Sequence, residues 1–214
     1  PGTTNKSFPQ APSGAFFLPG NSPSHAGIGW FERGKGPMKE YVHRPYNREL
    51  AVQYAHKWAF GRNPAFTDFE ELGGDCTNFA SQCIYAGAGV MNPTPTYGWY
   101  YYDLHHRAPA WTGVIYLYQF LTENRGIGPY ADEVPLEQVE PGDVIQLRLT
   151  GRRVFHHSPV VVSRGNPATL RNTLVAAHSI DSDNRPLSTY AIEEMRCLHI
   201  LGVRSLEKVW VPGS

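Results

Sequence analysis

The sequence predicts an α+β domain, with helices in the first half and a mainly antiparallel sheet in the second half. Between residues 48 and 86, apolar residues recur at steps of three and four, which is typical of helices buried along one face. After the turn sequence Pro141-Gly142-Asp143, the residues Ile145, Leu147 and Leu149 alternate with polar ones, which indicates a strand. Further apolar runs predict strands at about residues 155–163, 172–179 and 197–204.

Composition restricts the class of protein. The chain has 214 residues, and 41% of them are hydrophobic, which is enough for the core of one domain. Nineteen Lys and Arg balance nineteen Asp and Glu, so no excess positive charge attracts nucleic acid or anionic lipid. No apolar run approaches the roughly 20 residues of a membrane span, and no signal-peptide pattern opens the chain shown. The sequence therefore favours a soluble protein, cytoplasmic or exported after removal of a leader.

The chain divides into two parts by composition. Residues 1–40 are rich in Gly, Pro, Ser and Asn and have few regularly spaced apolar residues, which is typical of an extended arm or of a leader or tag. Residues 41–214 are predicted to form the folded domain.

Three helices are expected in that domain. Asn47 is a good cap for a first helix over residues 48–60. Asp75 occupies the same position before a second helix, which starts at Cys76 and ends at Gly87. A third helix is predicted over residues 112–121, with Ile115, Tyr118 and Leu121 facing inward.

Cys76 is the candidate nucleophile. In the first turn of a helix the backbone N–H groups lack partners and the helix dipole is positive, so a thiolate is stabilised and its pKa falls. The other two cysteines, Cys83 in the middle of a helix and Cys197 in an apolar strand, are expected to be small buried hydrophobes. The sequence therefore predicts one reactive thiol.

Histidines in the two following apolar runs are candidate partners for a cysteine nucleophile, which needs a base and a group that orients the base. His156 and His157 are adjacent on a predicted strand, so only one of them faces the cleft, and the pattern does not decide which. His178 or Asp181 is the orienting residue, and His178 is favoured because a strand holds it more rigidly. No metal-ligand spacing is present, and no metal or cofactor is expected.

Five motifs in the same order resemble those of the bacterial putative amidase domain family, which is related in fold to the NlpC/P60 and papain-like cysteine peptidases. They are Asp75-Cys76-Thr77-Asn78-Phe79-Ala80-Ser81-Gln82, Gly98-Trp99-Tyr100, Pro141-Gly142-Asp143-Val144-Ile145, His157-Ser158-Pro159-Val160-Val161 and Ala177-His178-Ser179-Ile180-Asp181. The resemblance implies a papain-like fold, with the helices packed on the antiparallel sheet. It also implies a cysteine amidase domain over residues 41–214, with Cys76 as nucleophile, His157 as base and His178 as orienting residue.

Two further site residues are candidates. Papain-type proteases have an oxyanion-hole glutamine about six residues before the cysteine, where this chain has Glu70 and Glu71. Tyr54 is a candidate substitute donor, together with the backbone N–H of Cys76, although core packing competes as an explanation of Tyr54. Trp99 is a candidate wall of the substrate site.

The resulting functional hypothesis is a cysteine amidase or peptidase that cleaves a peptide-like amide through a thioester. The analogy with NlpC/P60 enzymes implies bacterial cell-wall peptide (peptidoglycan) as substrate. Two alternatives stay open, namely an acyl transferase that passes the thioester to an amine, and a binding module without catalysis.

Overall fold

The computed structural model describes residues 41–206. The arm or leader predicted for residues 1–40 lies outside the described residues, as does the segment 207–214. The helices are α1 (Arg48–Trp58), α2 (Cys76–Ala88), α3 (Pro109–Thr112) and α4 (Val114–Glu123). The strands are β1 (Val42–Arg44), β2 (Gly128–Val134), β3 (Val144–Leu149), β4 (Val160–Ser163), β5 (Leu174–Ala177), β6 (Ser182–Pro186) and β7 (Ile192–Ser205). The predicted α+β class is confirmed.

Helix α1 begins as its sequence predicts. The side-chain oxygen of Asn47 accepts a hydrogen bond from the backbone N–H of Leu50 at 3.0 Å, which satisfies one of the unpaired donors of the first turn. The buried side of the helix contains Ala51, Tyr54 and Ala55. Helix α1 packs against α2. The small side chains of Ala51 and Ala55 allow the two helices to approach closely, and the hydroxyl of Tyr54 donates to Gln82 of α2.

Helix α2 is buried on every side, since all of its residues are buried. It begins at Cys76 as predicted, but it does not end at Gly87. Gly87 lies inside the helix. A glycine is needed there for packing, because a Cβ atom would lie 2.4 Å from the Tyr46 ring. The helix ends one residue later, and Gly89 follows it in the left-handed conformation with φ of 66°.

The predicted third helix is interrupted at Gly113, where the backbone is extended. The prediction for Ile115 was wrong, because its side chain is 44% exposed. The buried positions of α4 are Leu117, Phe120 and Leu121. The interruption shifts the helix phase, so that the inward stripe is displaced from the predicted one.

The seven strands form one antiparallel, half-barrel sheet. The strand order is β1-β7-β3-β4-β5-β6. Strands β1 and β3 pair with different parts of one edge of β7, and β2 pairs with the opposite edge. β7 is the longest strand, with 14 residues, and it pairs with β1, β2 and β3. Among the helices within residues 41–206, none has the length and apolarity needed to cross a membrane.

The two faces of the sheet contact different apolar clusters. Val160 and Ala176, which are paired between β4 and β5, belong to the cluster shared with the helices. The next pair, Val161 and Val175, belongs to a second cluster with Leu147 on the opposite face. Side chains alternate between faces along a strand, so this pairing decides on which face each neighbouring histidine lies.

Candidate functional site

A cavity of about 620 Å³ lies at the beginning of α2. Cys76 and both adjacent histidines, His156 and His157, line it. Its other lining residues are Glu70, Gly73, Gly74, Leu149, Thr150, Arg152, Ser179, Ile180, Arg185, Thr189, Tyr190 and Ala191. The structure therefore brings the candidate nucleophile and both candidate bases to one cavity.

The thiol of Cys76 is mostly buried. Its Sγ lies 3.7 Å from the carbonyl oxygen of His156 and 3.8 Å from Oγ1 of Thr77. Burial raises the pKa of Cys76, and hydrogen bonds from Thr77 and the backbone of Ser158 oppose that shift without cancelling it. The predicted lowering of the Cys76 pKa was therefore wrong for the free protein, because loss of hydration outweighs the hydrogen bonds at the helix start.

A hydrogen bond joins the residues that follow the nucleophile and the base. Oγ1 of Thr77 and Oγ of Ser158 are 3.2 Å apart, and both side chains are buried. Gln146 on β3 donates to Ser158 at 3.5 Å, and its own oxygen accepts two hydrogen bonds from Arg196 on β7 at 2.9 and 2.6 Å. This polar chain fixes the start of α2 relative to the segment that contains His157.

His157 lies just before β4 and is buried beside the cavity. It pairs with Leu147 in an isolated bridge, so its side chain shares the face of Leu147. Its ring centroid is 5.6 Å from that of Tyr190. Burial, followed by the charges of His156 and Arg185, lowers the pKa of His157 to about 4. The imidazole is therefore neutral at pH 7 and able to accept a proton.

His178 lies on the opposite face of the sheet from His157. It is 1% exposed and stacks on Phe79 of α2, with ring centroids 4.0 Å apart. Its Nδ1 bonds to the carboxylate of Asp75, and its Nε2 donates to the carbonyl oxygen of Trp58 at 2.8 Å. The ring is therefore held at both nitrogens, between a carboxylate and a backbone carbonyl. The structure thus places His178 against Asp75 and does not bring it to His157.

Asp75 is a fully buried carboxylate directly before Cys76. Its side chain does not cap α2. One oxygen instead accepts hydrogen bonds from the backbone of Phe69 at 2.9 Å and the amide of Asn78 at 2.8 Å. Its backbone N–H donates to Ser179 at 2.9 Å. Asp75 therefore connects the loop before α2 to the residues after β5.

Trp99 does not line the cavity. It is 0% exposed, and its ring lies 4.9 Å from that of Trp111 and 5.9 Å from that of Phe120, centroid to centroid. Its indole N–H donates to Ser81 at 3.0 Å. The prediction of a substrate wall is corrected accordingly, because a substrate cannot reach a ring enclosed in the core.

Tyr54 and Asp181 are likewise occupied away from the cavity. The hydroxyl of Tyr54 donates to Gln82 and accepts from Asn63, each at 2.7 Å, which matches the core-packing explanation. Asp181 accepts from two nitrogens of Arg62 at 2.9 and 3.1 Å. Neither residue is among those that line the cavity, so the structure offers no role for Tyr54 at an oxyanion or for Asp181 beside His157.

The remaining cysteines are buried as predicted, with Cys83 0% and Cys197 2% exposed. Burial raises the pKa of Cys197 to about 12, so this thiol is unreactive near neutral pH.

Within residues 41–206, no three His, Cys, Asp or Glu side chains converge as they would around a metal ion.

Sequence reasoning missed three cavity residues that carry charge or contact the candidate base, namely Arg152, Arg185 and Tyr190. Arg152 lies shortly after β3, whereas Arg185 and Tyr190 belong to β6 and to the turn after it. The only signal for the last two is a position beyond the strand predicted at about residues 172–179, and this does not indicate which way they face.

Comparison with known proteins now identifies the family. The profile of the putative amidase domain family matches residues 45–201. The uncharacterized protein YhbB of Bacillus subtilis (strain 168) is 35% identical over 145 residues, which cover 65% of this chain and 43% of YhbB. The alignment thus spans less than half of that relative. No solved structure matches. The match over most of the described residues shows that this chain belongs to the putative amidase domain family.

Proposed function

We propose that this protein hydrolyses a peptide-like amide, with Cys76 as nucleophile and His157 as general base. The observation that carries the proposal is the cavity that both residues line, supported by the hydrogen bond between their neighbours Thr77 and Ser158. A nucleophile and a base on separate elements must be held in a fixed relation for proton transfer to be efficient. The amidase family is consistent with this chemistry.

The mechanism that follows starts from a neutral pair. With a raised pKa at Cys76 and a pKa of about 4 at His157, the thiol keeps its proton at pH 7 and the imidazole is free to receive it. His157 takes the proton as sulfur attacks the amide carbonyl, which forms the C–S bond and a tetrahedral oxyanion. The backbone N–H of Cys76, in the first turn of α2, has no acceptor within the helix and is the proposed oxyanion donor.

The second half of the reaction reverses the proton transfer. The imidazolium of His157 protonates the leaving amine as the C–N bond breaks, which leaves a thioester on Cys76. Water, deprotonated by the now neutral His157, then attacks the thioester and releases the acid and the thiol. In this scheme His178 acts through Asp75 as a positioning residue for the start of α2 and does not orient the base.

The substrate proposal rests on analogy. The resemblance to NlpC/P60 enzymes favours a papain-like fold, a cysteine amidase domain over residues 41–214, and bacterial cell-wall peptide as substrate. Because the aligned part covers 43% of YhbB, a substrate of that longer protein is not transferred to this chain.

The test uses peptidoglycan-derived muropeptides, with mass spectrometry to detect new amines and a thioester on Cys76. We expect Cys76→Ala and His157→Ala each to lower turnover by about a thousandfold or more while the circular dichroism spectrum is kept. Cys83→Ala and His156→Ala are the matched controls and should remain active. Retained turnover in Cys76→Ala would exclude the proposed nucleophile.

Two outcomes lead to the alternatives. Product formation that requires an added amine, with the amine joined to the acyl group, would indicate an acyl transferase. The raised pKa of Cys76 is the observation that favours a binding module, because an unactivated thiol is a poor nucleophile. Binding of muropeptides without turnover or thioester, at equal affinity in wild type and Cys76→Ala, would support the module.

A further inference from the structure

One wall of the cavity carries positive charge. Arg152 and Arg185 both line it, together with the single carboxylate Glu70. Glu70 already accepts a hydrogen bond from Ser179 at 2.8 Å and lies 3.9 Å from a guanidinium nitrogen of Arg62. Within residues 41–206, neither lining guanidinium forms an ion pair with Glu70, whose ionic contact is with Arg62.

Arg185 is held in a fixed position. Its Nε donates to Oγ1 of Thr189 at 2.8 Å, and one terminal nitrogen donates to the carbonyl of Thr189 at 3.3 Å. The guanidinium carbon lies 3.8 Å from the centroid of the Tyr190 ring, which is a cation-π contact. Tyr190 in turn contacts His157. A fixed cation is thus built into the wall next to the proposed base.

Several arginines within residues 41–206 make no ion pair, and of these only Arg152 and Arg185 line the cavity. Others are paired. Arg62 has carboxylate partners, among them Asp181 at 2.9 Å, and Arg148 has Glu193 and Glu194, each at 2.9 Å. Within residues 41–206, Arg185 makes no ion pair. Holding a half-buried guanidinium in place without a counter-charge is unfavourable unless another group supplies that charge. The planar fork of arginine fits a carboxylate particularly well.

We propose that the substrate is an acidic peptide, whose carboxylate binds Arg185 beside the scissile amide, with Arg152 adding to the attraction. This inference rests on the proposed function and names the substrate class of the same site. It commits to a carboxylate, on a side chain or at the chain end, and it makes Arg185 a specificity-determining residue.

The proposal also couples recognition to catalysis. Burial lowers the pKa of His157 most, and the charges of His156 and Arg185 lower it further. A bound carboxylate would offset the charge of Arg185 and so raise the pKa of His157. The base would then be stronger in the complex than in the free protein, and an acidic peptide would be both selected and cleaved faster.

The test measures binding without turnover. The full chain with Cys76→Ala is labelled at its histidine ring carbons and titrated with three probes: acetyl-Ala-Glu-amide, acetyl-Ala-Gln-amide and acetyl-Ala-Gln with a free carboxyl end. We expect at least one of the two carboxylate probes to bind about tenfold or more tightly than the neutral amide. The same probe should shift the His157 signals and raise the pKa read from them. Comparison of the two carboxylate probes distinguishes a side-chain from a chain-end carboxylate.

Arginine variants make the result specific. Arg185→Gln should remove the advantage of the acidic probe, Arg185→Lys should restore part of it, and the exposed Arg171→Gln, outside the cavity, should leave it unchanged. Equal binding of acidic and neutral probes, or an unchanged preference in Arg185→Gln, would overturn the proposal. These outcomes are independent of the proposed function, because the cysteine needed for turnover is absent, and muropeptide hydrolysis is scored separately in the wild type.

Discussion

Two buried aspartates, Asp75 and Asp143, have almost the same surroundings. Each is fully buried, and each accepts a hydrogen bond from Nδ1 of a histidine, His178 for Asp75 and His199 for Asp143. Each also has an arginine nearby, with guanidinium nitrogens 3.7 Å from Asp75 and 2.7 Å from Asp143. Each further accepts from backbone N–H groups or amides.

The two clusters differ in what they hold. Asp143 joins Arg48 at the start of α1 to the backbone of Ile200 on β7, and its ionic partners are about one quarter exposed. Asp75 is covalently attached to Cys76, and its histidine is completely enclosed. The same carboxylate chemistry therefore stabilises the domain in both places, while only the cluster at Asp75 also fixes the position of the candidate nucleophile.

The largest expected effect comes from removing either carboxylate. Asp75→Ala and Asp143→Ala should each lower the free energy of unfolding by ~3–5 kcal/mol, because each leaves a buried group of donors without its acceptor. Denaturant unfolding measures this loss. Only Asp75→Ala should also lower kcat for muropeptide hydrolysis per folded molecule, by about tenfold. Equal kcat losses in the two variants would remove the distinction between the clusters.

The loss in the free energy of unfolding should differ more between the two histidine variants than between the two aspartate variants. His178→Ala removes a hydrogen bond to one oxygen of the buried Asp75 carboxylate and leaves a cavity beside Phe79, so we expect a loss of ~3 kcal/mol in the free energy of unfolding. His199→Ala should cost ~1 kcal/mol, because solvent replaces part of its interaction with Asp143. Thermal and denaturant melts of both variants give the comparison. A larger loss in His199→Ala would show that burial does not decide the ranking.

For the arginines, the larger loss of stability should occur at the Asp143 cluster and the smaller loss at the Asp75 cluster. Arg48 contacts Asp143 at 2.7 Å, Glu140 at 2.8 Å and the carbonyl of Ile200 at 2.7 Å, so Arg48→Gln should lower the free energy of unfolding by ~2 kcal/mol. Arg62 is 3.7 Å from Asp75 and otherwise contacts surface carboxylates, so Arg62→Gln should cost ~1 kcal/mol or less. If Arg48→Gln and Arg62→Gln lowered the free energy of unfolding equally, the distance from the guanidinium to the buried carboxylate would not determine the loss of stability.

The sequence predicts these clusters only in part. The cap at Asn47 and the helix start at Cys76 follow from local rules, and both are observed. The faces of His157 and His178 do not follow, because a shift of one residue in pairing reverses the direction of a side chain. The segment before β4 is held by an isolated bridge to Leu147, which no periodic pattern reveals.

The burial of polar and aromatic side chains does not follow from local sequence patterns either. Trp99 stands in an aromatic, turn-rich segment that resembles a surface loop, yet the tertiary fold encloses it between Trp111 and Phe120. The raised pKa of Cys76 has the same origin, since local helix position favours the thiolate and long-range packing removes its water. Local rules thus predicted where elements begin, while packing decided what each side chain faces.

The smallest expected effect is a dependence of stability on pH at His199. The hydrogen bond to Asp143 raises the pKa of His199 above its ordinary value of 6.5. A raised pKa in the folded state means that protonated His199 stabilises the fold fully below pH 6.5, and that this contribution is lost as the pH rises through the folded-state pKa. His199→Gln should therefore cost less than ~1 kcal/mol, most of it at acidic pH, because His199 is partly exposed.

Urea unfolding of wild type and His199→Gln from about pH 5 to about pH 9 measures that difference, because this range starts below the ordinary histidine pKa and extends well above it. In an Asp143→Ala background the same substitution should have no pH-dependent effect, because the acceptor that raises the pKa is gone. A difference that grows with pH, or that persists without Asp143, would contradict the assignment. It would also show that the two aspartate clusters are less alike than their hydrogen bonds indicate.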